Sequence, residues 1–313
     1  MEYVTVDLPP SLRSTIAERG FKIFDSPLRG HRDLRIVEQR IDIAQKLGNF
    51  CAVLIDNYEI DAPWESQVRS NQVPIVVIDD LLNRHHDCDL LIDTGIDTKA
   101  CEYGNFVPPG CLILCGPEYA LLREEFNSFR ESSLINKRNF SGFKKIAISF
   151  GGSDPNDLTS HVLSIVLEAN ISNIQIVILV GQSNPNFKNL KEKTKNADCI
   201  FFQNPKNFAE ILSSVDVAIG AGGISALERC ALGLPSLVTP IAQNQERSVR
   251  ALVNNSAAVY FEPNEPNSLI SGLHNLKNPE IYKIMSHCAS ELVDGFGCRK
   301  VADAINQLIR MRY

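Results

Sequence analysis

The chain has 313 residues and a net charge of −6; 44% of its residues are hydrophobic and 22% are charged. This length is enough for two domains of ordinary size, and the composition is typical of a globular protein. The negative charge gives no support for a nucleic-acid partner or an anionic membrane surface. No apolar run reaches the about 20 residues that a membrane-spanning helix needs, and the first ten residues lack the basic and apolar regions of a secretory signal.

The chain contains nine cysteines, an odd number, and no two of them have CxxC spacing. A zinc site is therefore not expected, and the apolar surroundings of several cysteines indicate free buried thiols. Free thiols are typical of a reducing compartment, so the sequence predicts a cytoplasmic protein.

The first half of the chain alternates apolar strands with helical segments. A helix is predicted at Ser11–Arg19, a short strand at Lys22–Phe24 and a second helix at Leu34–Leu47. Four further strands are predicted at Cys51–Ile55, Ile75–Ile78, Leu90–Ile92 and Cys111–Leu114. Continuous apolar strands separated by helices are typical of a parallel sheet that is covered on both faces.

A polar stretch at residues 126–145 interrupts this alternation and predicts a linker between two domains, 1–125 and 146–313. The alternation then restarts with five strands, a helix from Leu158, a helix at Phe208–Ser213 and two C-terminal helices. The predicted strands are Ile146–Phe150, Ile174–Val180, Cys199–Phe202, Val217–Ile219 and Ser236–Val238. We therefore expect an α/β fold of two doubly wound, Rossmann-like domains that face a cleft.

The most informative motif is the glycine loop Gly220–Gly223 (Gly-Ala-Gly-Gly), which follows the strand Val217–Ile219. Consecutive glycines after a strand let the backbone approach a ligand and point N–H groups at an anion. Glu228, within two helical turns of the loop, is placed to accept hydrogen bonds from a ribose diol, although a lone glutamate is by default a solvated helix residue. Together these residues predict a pocket for a nucleotide diphosphate.

Two further motifs belong to the same half of the chain. A strand ends in Gly-Gly-Ser-Asp at 151–154, and Asn244 and Gln245 open a later helix. The first turn is expected to face the cleft with Gly152 at the nucleotide, and the side-chain amides are expected to donate to a phosphate or a sugar hydroxyl. The alternatives are a tight turn capped by its serine or aspartate, and simple helix capping by Asn244.

Two polar clusters follow strands in the first half, at Asp56–Tyr58 and at Asp79-Asp80. Strand carboxyl ends are the expected position for cleft residues, so general acid/base chemistry is one interpretation of these carboxylates and loop capping is the other. Neither cluster has a DxD spacing, so we predict no metal.

Adjacent histidines, His85-His86, generally point apart, which favours a structural role over metal binding. The segment Gly30–Arg32 predicts a surface loop.

Several strings, in order along nearly the whole chain, are specific enough to indicate a family. They are Leu54–Tyr58, Ile78–Asp80, Gly116–Arg123, Ser149–Pro155, Gly220–Gly223, Glu228–Cys230, Gly233–Ser236 and Asn244-Gln245. With them the chain resembles the UDP-2,4-diacetamido-2,4,6-trideoxy-β-L-altropyranose hydrolases of pseudaminic acid biosynthesis, which share the GT-B fold of nucleotide-sugar glycosyltransferases. The string GPEYALLR at Gly116–Arg123 is the most characteristic.

The resemblance implies a metal-independent hydrolysis without a cofactor, in which water attacks the anomeric carbon and releases UDP and the free sugar with inversion. The residues implied to hold UDP are Gly222, Gly223, Ser225 and Glu228. Tyr58 and Asn244 are implied to reach the sugar and the diphosphate across the cleft as catalytic residues. UDP leaves as a dianion, so amide donors at the glycine loops are expected to stabilise the charge that develops on the β-phosphate.

The chain also departs from the family pattern. The family begins with a strand and a Gly-x-Gly-His-x-x-Arg loop whose histidine acts as general base. This chain is expected to start after that unit, and His31 lies too late to replace the histidine. Asn57 stands where the family has histidine, and Ile224 where it has serine. We therefore expect an incomplete first domain and poor hydrolysis by this chain.

The leading hypothesis is thus a UDP-sugar hydrolase of pseudaminic acid biosynthesis. A second hypothesis is a GT-B glycosyltransferase of cell-surface or spore-coat polysaccharide synthesis, in which a sugar acceptor replaces water in the same pocket. A third is a catalytically inactive nucleotide-sugar binding protein. In each case the expected partner is a UDP-sugar, with no nucleic acid and no membrane span.

Overall fold

The structure is a computed structural model. It describes residues 2–5, 10–25, 51–69, 73–152, 154–169, 171, 173–182, 184–194 and 198–311. The helix predicted at Leu34–Leu47, the loop Gly30–Arg32 with His31, and Ser153 lie outside the described residues.

The chain divides into two compact units. The first consists of Met1–Leu91, Tyr103–Leu112 and Gln307–Tyr313, and the second of Ile92–Glu102 and Ile113–Asn306. The domain limits 1–125 and 146–313, with a linker between them, stay a prediction.

The first unit opens with two strands, β1 (Glu2–Thr5) and β2 (Lys22–Asp25), which pair in parallel, with helix α1 (Pro10–Glu18) between them in the chain. A second sheet follows, built from apolar segments. Its elements are β3 (Val53–Asp56), α2 (Ala62–Val68), β4 (Ile75–Ile78), β5 (Leu90–Asp93) and β6 (Leu112–Cys115). The strand order is β3–β4–β5–β6, and β3 pairs with β4 in parallel.

The second unit contains a six-stranded sheet, and nine α-helices lie in the described part of residues 113–311. The strands are β7 (Lys145–Ser149), β8 (Gln175–Val180), β9 (Cys199–Gln203), β10 (Val217–Ala221), β11 (Ser236–Thr239) and β12 (Val259–Tyr260). The α-helices in the described part of this region are α3 (Glu124–Arg138), α4 (Leu158–Glu168), α5 (Phe187–Lys193), α6 (Phe208–Ser213), α7 (Ile224–Ala231), α8 (Gln245–Asn254), α9 (Pro266–Asn275), α10 (Pro279–Leu292) and α11 (Gly297–Arg310). The strand order is β12–β11–β10–β7–β8–β9, and neighbouring strands pair in parallel.

Both faces of this sheet are buried. In β10, Ala218 packs into one hydrophobic cluster, whereas Val217 and Ile219 pack into another. Successive side chains of a strand point to opposite faces, so the two clusters lie on the two sides of the sheet. In the second unit the continuous apolar strands therefore form a parallel sheet that is covered on both faces.

The predicted elements agree with the structure over most of the described chain. The strand Ile75–Ile78 and the helix Phe208–Ser213 agree at both ends, and the other predicted strands are present with ends shifted by one or two residues. Four short elements, β1, α2, α5 and β12, are not predicted from the sequence. Two C-terminal helices are predicted, whereas four helices follow β11 in the continuous described segment.

Helix α3 occupies most of the polar stretch predicted as a linker. Its long cationic side chains bind backbone carbonyl groups at the ends of other helices: Arg130 donates to Ala231 and Ser290, and Lys137 donates to Ser213. Charged side chains usually lie in solvent, which is why the composition predicts a linker. Here they satisfy helix C-termini, where cations are favourable.

Candidate functional site

The glycine loop of the second unit is closely packed from behind. A Cβ atom on Gly220 would lie 2.3 Å from the carbonyl oxygen of Ser149 on the neighbouring strand β7. A Cβ atom on Gly222 would lie 2.2 Å from Cγ2 of Val249 in α8. Only glycine fits at these two positions, and the loop can therefore turn directly from β10 into α7.

Gly223 precedes helix α7 and Gln245 begins helix α8, and the two residues meet. A Cβ atom on Gly223 would lie 3.0 Å from Nε2 of Gln245. The Oε1 atom of Gln245 accepts a hydrogen bond of 3.1 Å from the backbone N–H of Ile241. The side-chain amide is thus anchored through its oxygen and places its NH₂ group beside the start of α7.

The N-terminus of α7 has the donors that an anion site needs. Its N-cap residue is Gly223, which provides no side-chain cap. The first N–H groups of a helix have no partner within the helix, and the helix dipole is positive at this end. The hydroxyl of Ser225 in the first turn and the Nε2 group of Gln245 add two further donors. This arrangement is suited to bind a phosphate.

Glu228 lies one turn further along α7, and its side chain is 12% exposed. Burial raises the pKa of this carboxyl, and the positive charge of Arg123 opposes that effect. The Nη2 atom of Arg123 lies 3.1 Å from Oε1 of Glu228. Arg123 ends the GPEYALLR string, so this string and the glycine-loop helix, which the sequence analysis treats separately, meet at one ion pair.

The guanidinium of Arg123 is held by more than its contact with Glu228. It lies 5.2 Å from the ring centroid of Phe126 and 5.3 Å from that of Phe208. Its Nη1 atom lies 2.8 Å from Oε1 of Glu125. Two aromatic faces and a second carboxylate therefore restrict its position, and Arg123 in turn restricts the carboxylate of Glu228.

Gly152 lies beyond β7, the strand next to β10. A Cβ atom on Gly152 would meet no atom within 4 Å, whereas one on Gly181 would lie 2.0 Å from the Gly152 carbonyl oxygen. Asp154 accepts hydrogen bonds from the backbone N–H groups of Leu158, at 3.0 Å, and Thr159, at 2.9 Å. Asp154 therefore caps the helix that follows, as in the alternative interpretation of this turn. The Cβ side of Gly152 faces open space.

The two residues predicted to be catalytic lie in different units. Asn244 precedes α8, is exposed and makes no capping hydrogen bond with its side chain, so the helix-capping alternative is wrong for this residue. Tyr58 follows β3 in the first unit and is 51% exposed. The guanidinium of Arg84 lies 5.9 Å from its ring centroid.

The carboxylate pair of the first unit splits into one buried and one exposed group. Asp80 is exposed, whereas Asp79 is buried. The Oδ1 atom of Asp79 lies 2.6 Å from Nη2 of Arg84, and its Oδ2 atom accepts a hydrogen bond of 3.3 Å from the N–H of Leu82. Burial alone would raise the pKa of Asp79, but His86 and Arg84 lower it overall. Asp79 is thus an ion-paired structural group.

His86 is buried between two carboxylates. Its Nδ1 atom lies 2.8 Å from Oε1 of Glu65, and its Nε2 atom lies 3.8 Å from Oδ2 of Asp79. Burial alone would lower the pKa of His86, but the two carboxylates raise it to about 9. The structural role expected for the histidine pair fits His86. Glu65 is not predicted as the partner of His86, because the two residues are 21 positions apart in the chain.

Within the described residues, no group of three or more histidine, cysteine, aspartate or glutamate side chains is arranged to hold a metal ion. Among the helices that the structure describes, none is both long and apolar enough to cross a membrane.

Two parallel-sheet α/β units, with a glycine loop and a helix N-terminus suited to a phosphate in the second, define a GT-B-like protein related to nucleotide-sugar enzymes. Residues 147–307, just over half of the chain, match the glycosyltransferase family 28 C-terminal domain. The chain belongs to this family.

Two curated relatives match a large part of the chain. A UDP-2,4-diacetamido-2,4,6-trideoxy-beta-L-altropyranose hydrolase of Campylobacter jejuni is 28% identical over 215 residues, which are 68% of this chain and 74% of that protein. The spore coat polysaccharide biosynthesis protein SpsG of Bacillus subtilis is 25% identical over 209 residues, 65% of this chain and 60% of that protein. The resemblance to the hydrolases predicted from the sequence is confirmed.

The fold prediction is also confirmed. The solved structure of S. aureus MnaA with UDP aligns with a TM-score of 0.68 at 11% identity, over 99% of this chain and 97% of that chain. At this level of identity the likeness is one of fold.

Proposed function

We propose that this chain hydrolyses a UDP-linked 2,4-diacetamido-2,4,6-trideoxy sugar to UDP and the free sugar, as a metal-independent step of pseudaminic acid biosynthesis. The observation that carries the proposal is the start of α7, where the backbone of Gly222 and Gly223, the hydroxyl of Ser225 and the amide of Gln245 lie together. The similarity to the C. jejuni hydrolase supports the choice of sugar.

In this proposal the second unit holds UDP. The N-terminus of α7 and the Gln245 amide bind the diphosphate, because they place neutral donors where the leaving group gains negative charge. Glu228, fixed by Arg123, accepts hydrogen bonds from the ribose hydroxyls. Gly152 lets the ligand approach the backbone beyond β7, since no atom lies within 4 Å on its Cβ side.

Asn244 and Tyr58 are proposed to act on the sugar side of the reaction. The Asn244 amide is exposed and is not used as a helix cap, so it is available to donate to the diphosphate or to a sugar hydroxyl. The Tyr58 ring is half exposed at the carboxyl end of a strand, the usual position of ligand contacts in such folds.

The test is incubation of the purified chain with the UDP-sugar, with and without a chelator. We expect slow UDP release that the chelator does not change, and proton NMR should show a free sugar of inverted anomeric configuration. Glu228→Gln serves as a variant with weakened UDP binding. UDP binding without release in any condition would contradict the hydrolase proposal and indicate a binding protein.

A glycosyltransferase is the second candidate, because the matched family domain belongs to glycosyltransferases and SpsG is a polysaccharide biosynthesis protein. It would use the same UDP pocket with a sugar hydroxyl in place of water. A screen of sugar acceptors separates the two candidates. Release of UDP that requires an acceptor favours the transferase, and release in water alone favours the hydrolase.

A further inference from the structure

Arg229 is a buried cation directly behind the glycine loop. It follows Glu228 in α7 and is 2% exposed. Its Nη2 atom donates to the carbonyl oxygen of Ala221 at 2.6 Å, and its Nε atom donates to Oγ of Ser236 at 3.1 Å. Its Nη1 atom would lie 3.1 Å from a Cβ atom on Gly220. The guanidinium therefore packs against the strand and the loop that are proposed to receive the diphosphate.

The hydrogen-bond partners of Arg229 are neutral. Within the described residues, no carboxylate lies within 4.0 Å of its guanidinium nitrogen atoms. Burial lowers the pKa of Arg229 to about 10, so the group remains charged at neutral pH. Arg130 and Lys137 also donate to neutral carbonyl groups, but these carbonyls lie at helix C-termini, where a cation is favourable. The carbonyl that binds Arg229 belongs to Ala221 at the end of a strand. The neighbouring carboxylate of Glu228 attracts Arg229 through space. A buried charge that no carboxylate contacts directly is nevertheless costly, and a bound anion would reduce that cost.

The contact between Arg229 and Ser225 points to the same ligand. The Nη1 atom of Arg229 donates to Oγ of Ser225 at 3.5 Å, a long hydrogen bond. A guanidinium can only donate, so the serine oxygen acts as the acceptor in this contact. The hydroxyl hydrogen of Ser225 must then point away from Arg229. Ser225 itself lies in the first turn of α7, where the phosphate is proposed to bind.

We propose that Arg229 is a positioning residue that strengthens the binding of the doubly charged diphosphate group. The site then binds UDP more tightly than uridine, which lacks that group. Arg229 supplies positive charge behind the glycine loop and directs the hydroxyl of Ser225 toward a phosphate oxygen. This inference rests on the proposed nucleotide site and adds the group that provides its charge.

Calorimetric titration of the full chain with UDP, UMP and uridine tests this inference. In Arg229→Gln we expect a loss of UDP affinity of about tenfold or more, with a smaller loss for UMP and a change of less than about threefold for uridine. Arg229→Lys keeps the charge and should retain more UDP affinity than Arg229→Gln. Arg250→Gln is the matched control, because Arg250 lies on the exposed surface of α8.

Equal losses for UDP and uridine in Arg229→Gln would overturn the inference, since a structural role alone would lower both. A wild-type chain that fails to bind UDP would instead overturn the proposed nucleotide site itself. The two failures are therefore distinguishable.

If both Arg229 variants fail to fold, the wild-type chain labelled with ¹⁵N-arginine provides the test. The Nε–H signal of the buried Arg229 should shift when UDP is added and stay in place when uridine is added. Identical shifts with both ligands, or no shift with UDP, would overturn the inference.

Discussion

The Nη2 atom of Arg123 lies 3.1 Å from the Oε1 atom of Glu228, which joins the GPEYALLR string to the helix that follows the glycine loop. Burial raises the pKa of Glu228 and the Arg123 charge opposes this. The ion pair therefore keeps a hydrogen-bond acceptor charged and fixed in direction, as recognition of a ribose diol requires.

Glu228→Gln should lower the affinity for UDP by about tenfold, because hydrogen bonds to a charged acceptor are stronger than those to an amide. Calorimetry with UDP and with 2′,3′-dideoxy-UDP measures the effect. The wild type and the variant should bind the dideoxy nucleotide equally well. Glu125→Gln, which removes the other carboxylate partner of Arg123, is the control. Equal losses for both nucleotides would show that Glu228 does not contact the ribose.

The glycines of the loop should respond differently to alanine. Gly222→Ala places a methyl group 2.2 Å from Cγ2 of Val249 and should lower the free energy of unfolding by about 1–3 kcal/mol. Gly223→Ala meets only the end of the Gln245 side chain at 3.0 Å, so it should fold normally but bind UDP more weakly. Thermal unfolding and UDP titration separate the two effects.

Gly152→Ala is the matched control for stability, because its added methyl group meets open space. Its melting temperature should equal that of the wild type. If the diphosphate approaches Gly152 as proposed, the affinity for UDP should nevertheless fall. An unchanged affinity would remove Gly152 from the site.

His86 should make the stability of the first unit depend on pH. Its pKa is about 9 in the folded chain against an ordinary 6.5, so the folded state binds the proton more tightly. The resulting stabilisation is fully present below pH 6.5 and is lost as the pH rises through about 9; it amounts to at most about 3 kcal/mol.

Urea unfolding of the wild type and of His86→Gln at several pH values measures this contribution. The difference in unfolding free energy between the two should shrink as the pH rises from about 6 to about 9.5. His287→Gln, at an exposed position, should leave the pH dependence unchanged. A difference that stays constant over this range would contradict the charged state of His86.

Asn244→Ala should lower turnover without destabilising α8. The side chain makes no capping hydrogen bond, so the usual cost of about 1 kcal/mol for losing an N-cap should be absent. Steady-state kinetics with the UDP-sugar should show a lower kcat, and Tyr58→Phe should do the same if its hydroxyl contacts the sugar. A drop in melting temperature for Asn244→Ala would show that the residue has a structural role instead.

The sequence predicts the sheet of the second unit well, because a parallel sheet covered on both faces needs continuous apolar strands. Strands such as Gln175–Val180 have this pattern, and their ends are marked by glycine or polar residues. The glycine loop is also predictable, because several glycines directly after a strand indicate a close approach of the backbone. The structure has such an approach at Gly220 and at Gly222. The pattern of apolar residues is sufficient to predict the strands, and the glycines themselves are sufficient to predict the loop.

The partners of charged groups are not predictable in this way. Arg123 and Glu228 are 105 positions apart, and the contact between Glu65 and His86 depends on how α2 packs in the first unit. The sequence around Arg229 indicates only a helix residue, and its burial behind the glycine loop is known only from the fold. The polar helix α3 is predicted as a linker because composition does not reveal that Arg130 is buried against carbonyl groups.

The hydrogen bonds of helix α3 affect how the second unit unfolds locally. Arg130 donates to carbonyl groups in the last turns of α7 and α10, and Lys137 donates to those that end α6. If α3 detaches, three helix C-termini lose their caps together. The amide hydrogens in these turns should therefore exchange with solvent at a common rate, as one cooperative unit, so that the helix bearing the nucleotide loop opens only when the others do.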